Sequence, residues 1–194
     1  MAGKNYANRK TVDKRPESDY YPTPKSLVWE LSKLGILERS EPIIDPACGE
    51  NAIVDALLEY GYVAEGDDLR KGRDFLSNNY NGKYTQAVMN PPFSLFDQFI
   101  MKAKNEFPLF ASIIKVNFFG AKGRNTNGVW KGLKEVHVFN RMVDYRTPMR
   151  DDGLYYTGVL VAGWGIWDRN WTEDYWETRI MDVDQYAKLG SWKE

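Results

Sequence analysis

The tetrapeptide Asn90-Pro91-Pro92-Phe93 closes a short apolar run, Thr85-Gln86-Ala87-Val88-Met89, and its residue types can do one kind of chemistry well. Neither proline has an amide proton, so the pair cannot continue a central strand and instead stiffens the chain just beyond one. An amide side chain, a carbonyl and a ring are thereby held in fixed relation. The side-chain oxygen of Asn90 and the carbonyl of Pro91 can accept both hydrogens of an amino group on a planar substrate. That draws the nitrogen lone pair out of conjugation, while Phe93 can stack on the substrate ring. Such a clamp needs no proton-transferring histidine. The plainer alternative is a strand-ending turn with a core phenylalanine.

A second constellation, Asp45-Pro46-Ala47-Cys48-Gly49-Glu50-Asn51, follows the apolar run Pro42-Ile43-Ile44 and opens a helical pattern. In a doubly wound sheet this is the ligand crevice at the carboxyl end of the first strand. Small residues there let a ligand approach the backbone, and an acidic strand end suits an ammonium or a hydroxyl. The Gly-x-Gly-x-x-Gly pattern of dinucleotide binders is absent, so a ligand without a pyrophosphate fits better. About 20 residues on, the next apolar run ends at Asp67-Asp68, where Rossmann-like folds hold a ribose diol. Alternation along 63–68 leaves open which acid faces the crevice, with Asp68 favoured. Asp74-Phe75 then offers a carboxylate for an exocyclic amine and a ring to cover a purine, or simply a cap and a core residue.

These residues must be carried by alternating elements. Leu27, Leu31 and Leu34 at helical spacing predict a helix after Pro24 that stops at Gly35, and 51–60 suits a second helix ending at Gly61. A third is expected over about 95–105. Strands are predicted at 42–47, 62–68, 85–89, 111–116, 135–139 and 154–162, which together argue for an α/β sheet. Residues 117–127 read as a Gly/Lys/Arg/Asn loop without an apolar period. The acidic, Trp-rich stretch beyond the last predicted strand suits a covering helix, with Trp164, Trp167, Trp171 and Trp176 in packing roles. The first 18 residues are polar and basic and read as a mobile arm, leaving 19–194 as a single domain.

Composition narrows the chemistry further. In 194 residues there is one cysteine, Cys48, and one histidine, His137. No disulfide within the chain and no Cys/His zinc site is possible, which predicts a reducing compartment and no metal. Cys48 lacks a base to activate it and reads as a packing residue, as does His137 in its strand. No apolar run approaches the roughly 18 residues of a membrane helix, and the start lacks a signal-peptide core, so a cytoplasmic protein is expected. The net charge of −1 conceals segregation: +3 over 1–39, −6 over 40–100, +7 over 101–150 and −5 over 151–194. The basic block predicts an anionic partner, with Lys115, Lys122, Arg124, Asn125, Asn127 and Lys131 as candidate contacts and Arg141, Arg146 and Arg150 nearby.

Taken together, Asp45-Pro-Ala-Cys-Gly-Glu-Asn-Ala-Ile-Val, Asp74-Phe75 and Asn90-Pro-Pro-Phe resemble the S-adenosylmethionine-dependent DNA adenine-N6 methyltransferases. Tyr20-Tyr21-Pro22-Thr23-Pro24 upstream is similar to the N-terminal cofactor motif of their gamma class, in the gamma-class order. Within that class the sequence looks most like small phage or prophage-type enzymes. The resembling positions span about residues 19–165. The resemblance implies a Rossmann-like seven-stranded methyltransferase fold, mostly parallel with one late antiparallel strand. It implies that the methionine end of the cofactor lies near Tyr21, Thr23, Asp45, Ala47 and Gly49. The ribose would lie on Asp68 or Asp67, and the adenine on Asp74 beside Phe75. Asn90, Pro91, Pro92 and Phe93 would receive a flipped adenine of double-stranded DNA. Asn51 departs from the glycine most common at its position. No separate target-recognition domain is expected within these residues, so base contacts would come from loops and the arm. RNA adenine or protein glutamine as substrate stays open, as does a catalytically silent cofactor-binding module, which the intact Asn90–Phe93 run disfavours.

Overall fold

In a computed structural model the chain is described over residues 22–80, 82–140 and 161–183. Seven strands form one sheet: β1 (Ile43–Asp45), β2 (Ala64–Gly66), β3 (Gln86–Met89), β4 (Leu109–Lys115), β5 (Leu133–Phe139), β6 (Ala162–Asp168) and β7 (Glu177–Met181). Their order is β2-β1-β3-β4-β6-β5-β7. β6 runs antiparallel to β4 and β5, and every other pairing is parallel. This is the α/β sheet that the strand–helix alternation predicts, mostly parallel with the one late antiparallel strand that the resemblance implies. The chain leaves β1 for β2 on one side and returns to β3 on the other, so the carboxyl ends of β1 and β3 flank the switch point at which such sheets bind ligands.

Both faces of the sheet are covered, which is why β1 and β3 are buried throughout and read as continuous apolar runs. On one face lie helices α1 (Lys25–Lys33) and α2 (Ala52–Glu59). Their Leu27, Leu31, Ile53 and Leu57 pack with Ile43, Ile113 and Trp164 of the sheet. The indole of Trp164 donates to the Leu27 carbonyl at 2.8 Å and pins α1 to β6. The other face carries α3 (Phe96–Glu106) and the 75–84 segment, with Phe75, Phe96, Ile100, Phe110 and Trp167 at the centre. Phe110 and Trp167 are direct cross-strand partners whose rings stack 5.1 Å apart. α2 ends as its sequence demands: Gly61 takes φ +79°, its amide reaches the Leu58 carbonyl, and the Tyr62 amide reaches Leu57. That satisfies two of the otherwise orphaned carbonyls.

Two expectations are corrected, and a third falls largely outside the described residues. Residues 117–127 are not an irregular loop, because a 3₁₀ turn (Val116–Gly120) and a short helix α4 (Lys122–Thr126) occupy them. Their order comes from contacts distant in sequence, Arg124 pairing with Asp97 and Phe118 packing edge-on against Phe93, which no local period reveals. The strand expected at 154–162 lies largely outside the described residues, and the antiparallel strand starts at Ala162 and continues to Asp168. Over its described residues, the Trp-rich stretch expected to form a covering helix instead supplies the edge strand β7. Trp164 and Ile166 face α1, and Trp167 faces the opposite side. Gly163 lets β5 approach, since a side chain there would lie 2.5 Å from the His137 carbonyl oxygen. Trp164 and Trp167 are core residues as expected, while Trp171 and Trp176 are half-buried. The arm over 1–18 and the basic residues Arg141, Arg146 and Arg150 lie outside the described residues.

Candidate active site

A cavity of about 330 Å³ opens at the carboxyl ends of β1 and β3. Its floor is the turn after β1. Asp45, 1% exposed, accepts from the Ala47 amide at 3.0 Å. Burial, reinforced by the neighbouring Asp68, pushes its carboxyl up to about 8 although the Ala47 amide and Lys71 pull it down. The turn needs two left-handed residues, Gly49 at φ +54° and Asn51 at φ +70°. Asparagine tolerates that region better than other side chains, so it keeps the conformation for which glycine is usual. The Asn51 side-chain oxygen also accepts from Lys71 at 2.7 Å.

Asp68 closes one wall. Its carboxylate accepts from the amides of Gly49 and Arg70, both at 2.9 Å, and pairs with the Arg70 guanidinium at 3.1 Å. Burial raises this carboxyl, but the two amides and Arg70 together outweigh burial and hold it below the ordinary range. Asp67 does not line the cavity; it accepts from the Tyr80 hydroxyl at 3.1 Å. The acid facing the crevice is therefore Asp68. Gly66 is a site residue that the motifs did not reveal. A side chain there would strike Cys48 at 2.7 Å, so β2 passes under the turn only without one.

Asp74 and Phe75 line the same cavity, each with a second task. Asp74 accepts from the Leu76 amide at 3.0 Å and from the Ser77 hydroxyl, capping its turn. Phe75 is 2% exposed and lies against Phe99 at 5.1 Å, so it is core and cavity wall at once. Leu69 and Leu95, which the sequence reading also passed over, are exposed apolar side chains at the rim. Leu69 directly follows the Asp67-Asp68 pair, and Leu95 stands two residues beyond Phe93. Ala47 and Thr23 line the cavity, whereas the Gly49 amide is engaged by Asp68 and Tyr21 lies outside the described residues.

Asn90 sits half-buried at the end of β3 on the cavity wall, its Nδ2 donating to the Thr23 hydroxyl at 3.1 Å. Pro92 also lines the cavity, Pro91 is buried, and the Leu95 amide bonds the Pro92 carbonyl as the chain turns into α3. Phe93 is not in the cavity wall. It packs edge-on to Phe118, with the Lys115 ammonium 3.6 Å from its ring centre.

The predicted nucleic-acid contacts divide. Lys115 stands beside the Asn-Pro-Pro-Phe turn at the end of β4. Lys122 and Lys131 are exposed. Arg124 is tied to Asp97 and lies 4.0 Å from the Phe118 ring centre. Asn125 accepts from the Trp130 indole at 3.0 Å, and Asn127 accepts from the Val129 amide at 3.2 Å. These last three hold their own segment together. Cys48 is buried with Lys71 at 3.0 Å, yet burial pushes its thiol up. His137 is buried and bonded to Glu135 at 2.8 Å. Among the described residues no His/Cys/Asp/Glu group could hold a metal ion, and no helix is long and apolar enough to cross a membrane.

No protein-family model matches the sequence, and no curated protein is similar to it in sequence. The fold, however, is shared with solved structures. A modification subunit of a putative type I restriction enzyme from Vibrio vulnificus superposes over 91% of this chain and 53% of its own, with TM-score 0.58 at 14% identity. The type I restriction-modification methyltransferase subunit from Streptococcus thermophilus gives 0.57 over 85% and 48% at 12% identity. The chain thus spans about half the length of both. A putative RNA methyltransferase from Pyrococcus horikoshii gives 0.53 over 80% of this chain and 88% of its own, at 14% identity. The chain has a Rossmann-like α/β fold that methyltransferases use.

Proposed function

We propose that this protein transfers a methyl group from S-adenosylmethionine to N6 of adenine in DNA. The single observation that carries the reading is that Asn90 at the end of β3 and the acids Asp45 and Asp68 at the ends of β1 and β2 open onto one cavity. An amine-accepting amide and a cation- and hydroxyl-accepting pair of carboxylates are thus within reach of one another. The cavity volume falls in the range of about 300–1,000 Å³ that small-molecule sites occupy. Its chemistry fits the cofactor: Asp45, a buried acid that an incoming ammonium would favour in its ionised form, suits the amine, Asp68 at the mouth suits a ribose diol, and Phe75, Leu69 and Leu95 offer apolar cover to a purine. Thr23, Ala47, Gly49 and Asp74 complete that side by resemblance, with Tyr21 and Asp67 as further members of the motifs.

When bound, the cofactor supplies a sulfonium methyl group. The chain's own contribution is orientation and charge matching. Asn90 Oδ1 and the Pro91 carbonyl accept the two hydrogens of the target amine, turning its lone pair toward the donor. Pro92 fixes their spacing, while Phe93, given to the target base by the resemblance, packs outside the cavity against Phe118 and Lys115 and braces the turn. Rate then comes from holding the reactants in line rather than from a general base. Lys115 beside the turn, with Lys122, Arg124, Asn125, Asn127 and Lys131 beyond it, supplies the nucleic-acid side. Nucleic acid as substrate class is supported by the segregated basic block and by the type I modification subunits that share the fold.

RNA adenine is the second reading, favoured by the likeness in extent to the putative RNA methyltransferase. Tritium transfer from labelled cofactor to duplex DNA, RNA and protein, followed by nucleoside and amino-acid analysis, separates the readings. N6-methyladenine from DNA is the expected product. Label confined to RNA or to glutamine overturns the substrate, and no transfer with retained cofactor binding supports a silent module.

A further inference from the structure

The two edges of the sheet are finished differently. β2 is three residues long and offers little of a template, whereas β7 runs for five residues, four of them exposed. An edge strand leaves a row of unpaired N–H and C=O groups, which soluble proteins blunt by shortness, proline, charge or cover. β7 contains no proline, no described strand lies beyond it, and its Ile180 is 71% exposed. Its remaining safeguard is charge, and the charges are of opposite sign: Glu177 and Arg179, paired at 2.8 Å. Such an edge repels most strands and admits one whose charges match.

The pairing of β7 with β5 fixes which groups face outward. The Asn140 amide donates to the Met181 carbonyl at 3.0 Å, in keeping with the parallel register that sets Met181 beside Phe139. Met181 therefore turns its backbone groups to β5. Along a strand these groups alternate sides, so Glu177 and Arg179 also turn theirs to β5, and Thr178 and Ile180 turn theirs to the open side. Side chains alternate between faces in the same rhythm. Glu177 and Arg179 share one face and Thr178 and Ile180 the other, where Val138, the register neighbour of Ile180, and Trp176 also pack.

A second copy laid antiparallel on this edge about a two-fold axis exchanges backbone bonds only between outward-facing residues. Side-chain charge then chooses among the registers. Centred on Glu177 or Arg179, the axis sets a like charge against itself. Centred on Ile180 or Met181, it gives neither charge an opposite partner. Centred on Thr178, it sets Glu177 of each copy against Arg179 of the other, at non-hydrogen-bonded positions where Cα atoms approach to about 4.5 Å. The same register brings exposed Ile180 alongside Trp176 of the second copy.

We propose that two copies of this chain join their β7 strands antiparallel about a two-fold axis at Thr178, continuing the sheet across the interface. β4, β6 and β5 separate β7 from β3, so both crevices stay open and the dimer carries two of them.

Sedimentation equilibrium of the full chain tests this. A pairing confined to one strand should dissociate with a constant on the order of 10–100 µM, at the weak end of specific interfaces. Glu177→Arg and Arg179→Glu each set like charges across both contacts and should weaken self-association by about tenfold or more. Mixed in equal amounts, the two variants regain both opposite-charge contacts, and their heterodimer should form within about threefold of the parent affinity. Thr178→Pro removes an outward N–H that β5 does not use, so the parent circular dichroism should be kept while self-association disappears. A parent that stays monomeric up to about 500 µM overturns the proposal. So does a dimer indifferent to all three variants, which would lie on another surface. Single charge variants that weaken the dimer but fail to recombine with each other exclude this register and overturn it as well.

Discussion

The crevice at the ends of β1 and β3 and the segment that follows β4 both concentrate polar side chains, but they use them differently. In the crevice the polar groups are fixed by backbone amides and by one another: Asp45 by Ala47, Asp68 by Gly49 and Arg70, Asn90 by Thr23. Those bonds still leave carboxylate and amide oxygens with acceptor capacity on a shared cavity. In the segment after β4, Arg124, Asn125 and Asn127 are engaged in holding α4 and its neighbours, and the outward charge falls to Lys122 and Lys131. The first region is preorganised for a defined ligand. The second is built for a charged surface, which binds phosphates with affinity and little sequence information. A residue's type alone therefore overstates its availability: Arg124 and Lys122 are both cationic, but Arg124 is already committed to Asp97, whereas Lys122 is exposed with no ion pair among the described residues.

The sharpest way to break this contrast is Asn90→Ala. Methyl transfer should fall at least on the order of 10²- to 10³-fold while S-adenosylhomocysteine still binds by calorimetry. Activity surviving near the parent level would remove Asn90 from the chemistry and the crevice from its role. Next in size is Asp45→Asn, which keeps the acceptor for the Ala47 amide but removes the charge. Asp45 titrates near 8 when folded against 3.8 unfolded, so its ionisation opposes folding progressively as pH rises between those values. The variant should therefore match the parent thermally near pH 4 and gain on it up to about pH 9, by on the order of a few kcal/mol. A constant difference across that range would mean that Asp45 is not held as a buried neutral acid.

Smaller effects separate the two kinds of basic residue. Arg124→Ala should lower stability by about 1 kcal/mol, seen in thermal melts, through loss of the Asp97 pair and the contact with Phe118. Lys122→Ala and Lys131→Ala should leave melting within about 0.5 kcal/mol. Each should instead reduce the salt slope of DNA binding by about one, measured by fluorescence anisotropy. The reverse assignment, with Arg124 altering the slope and not the melt, would erase the distinction between the regions. In the turn itself, Asn51→Ala should lose about 1–2 kcal/mol from the left-handed backbone, read in thermal melts, and Asn51→Gly should stay within about 0.5 kcal/mol.

Much of the crevice was legible because its signals are local. Two prolines end a strand wherever they occur, and an apolar run before Asp45 and a helical pattern after Asn51 define a strand–turn–helix without knowledge of the rest. Gly61 and Gly35 marked helix ends for the same reason. The failures share a cause as well. Residues 117–127 carry no apolar period, yet contacts with Asp97 and Phe93 give them helical turns. The described part of the Trp-rich stretch was misread because tryptophans pack equally well on a helix or a strand, and Gly163 reveals a close strand pairing only once β5 lies alongside. Gly66 gave no motif because its constraint is Cys48, 18 residues away in sequence and adjacent in space.

What the sequence by itself determined is the inventory and its order: an acidic turn, a second acid pair, an amide before two prolines and a basic block, on alternating strands and helices. Tertiary structure alone decided which of Asp67 and Asp68 faces the cavity, that Phe93 turns to Lys115 and Phe118 and away from it, that Arg124 is already paired, and that Asn90 is bonded to Thr23. The physical reason is range. Strand ends, caps and turns follow from steric and hydrogen-bonding preferences within a few residues. The direction of a side chain beyond a short strand depends on partners that only the closed sheet brings into contact.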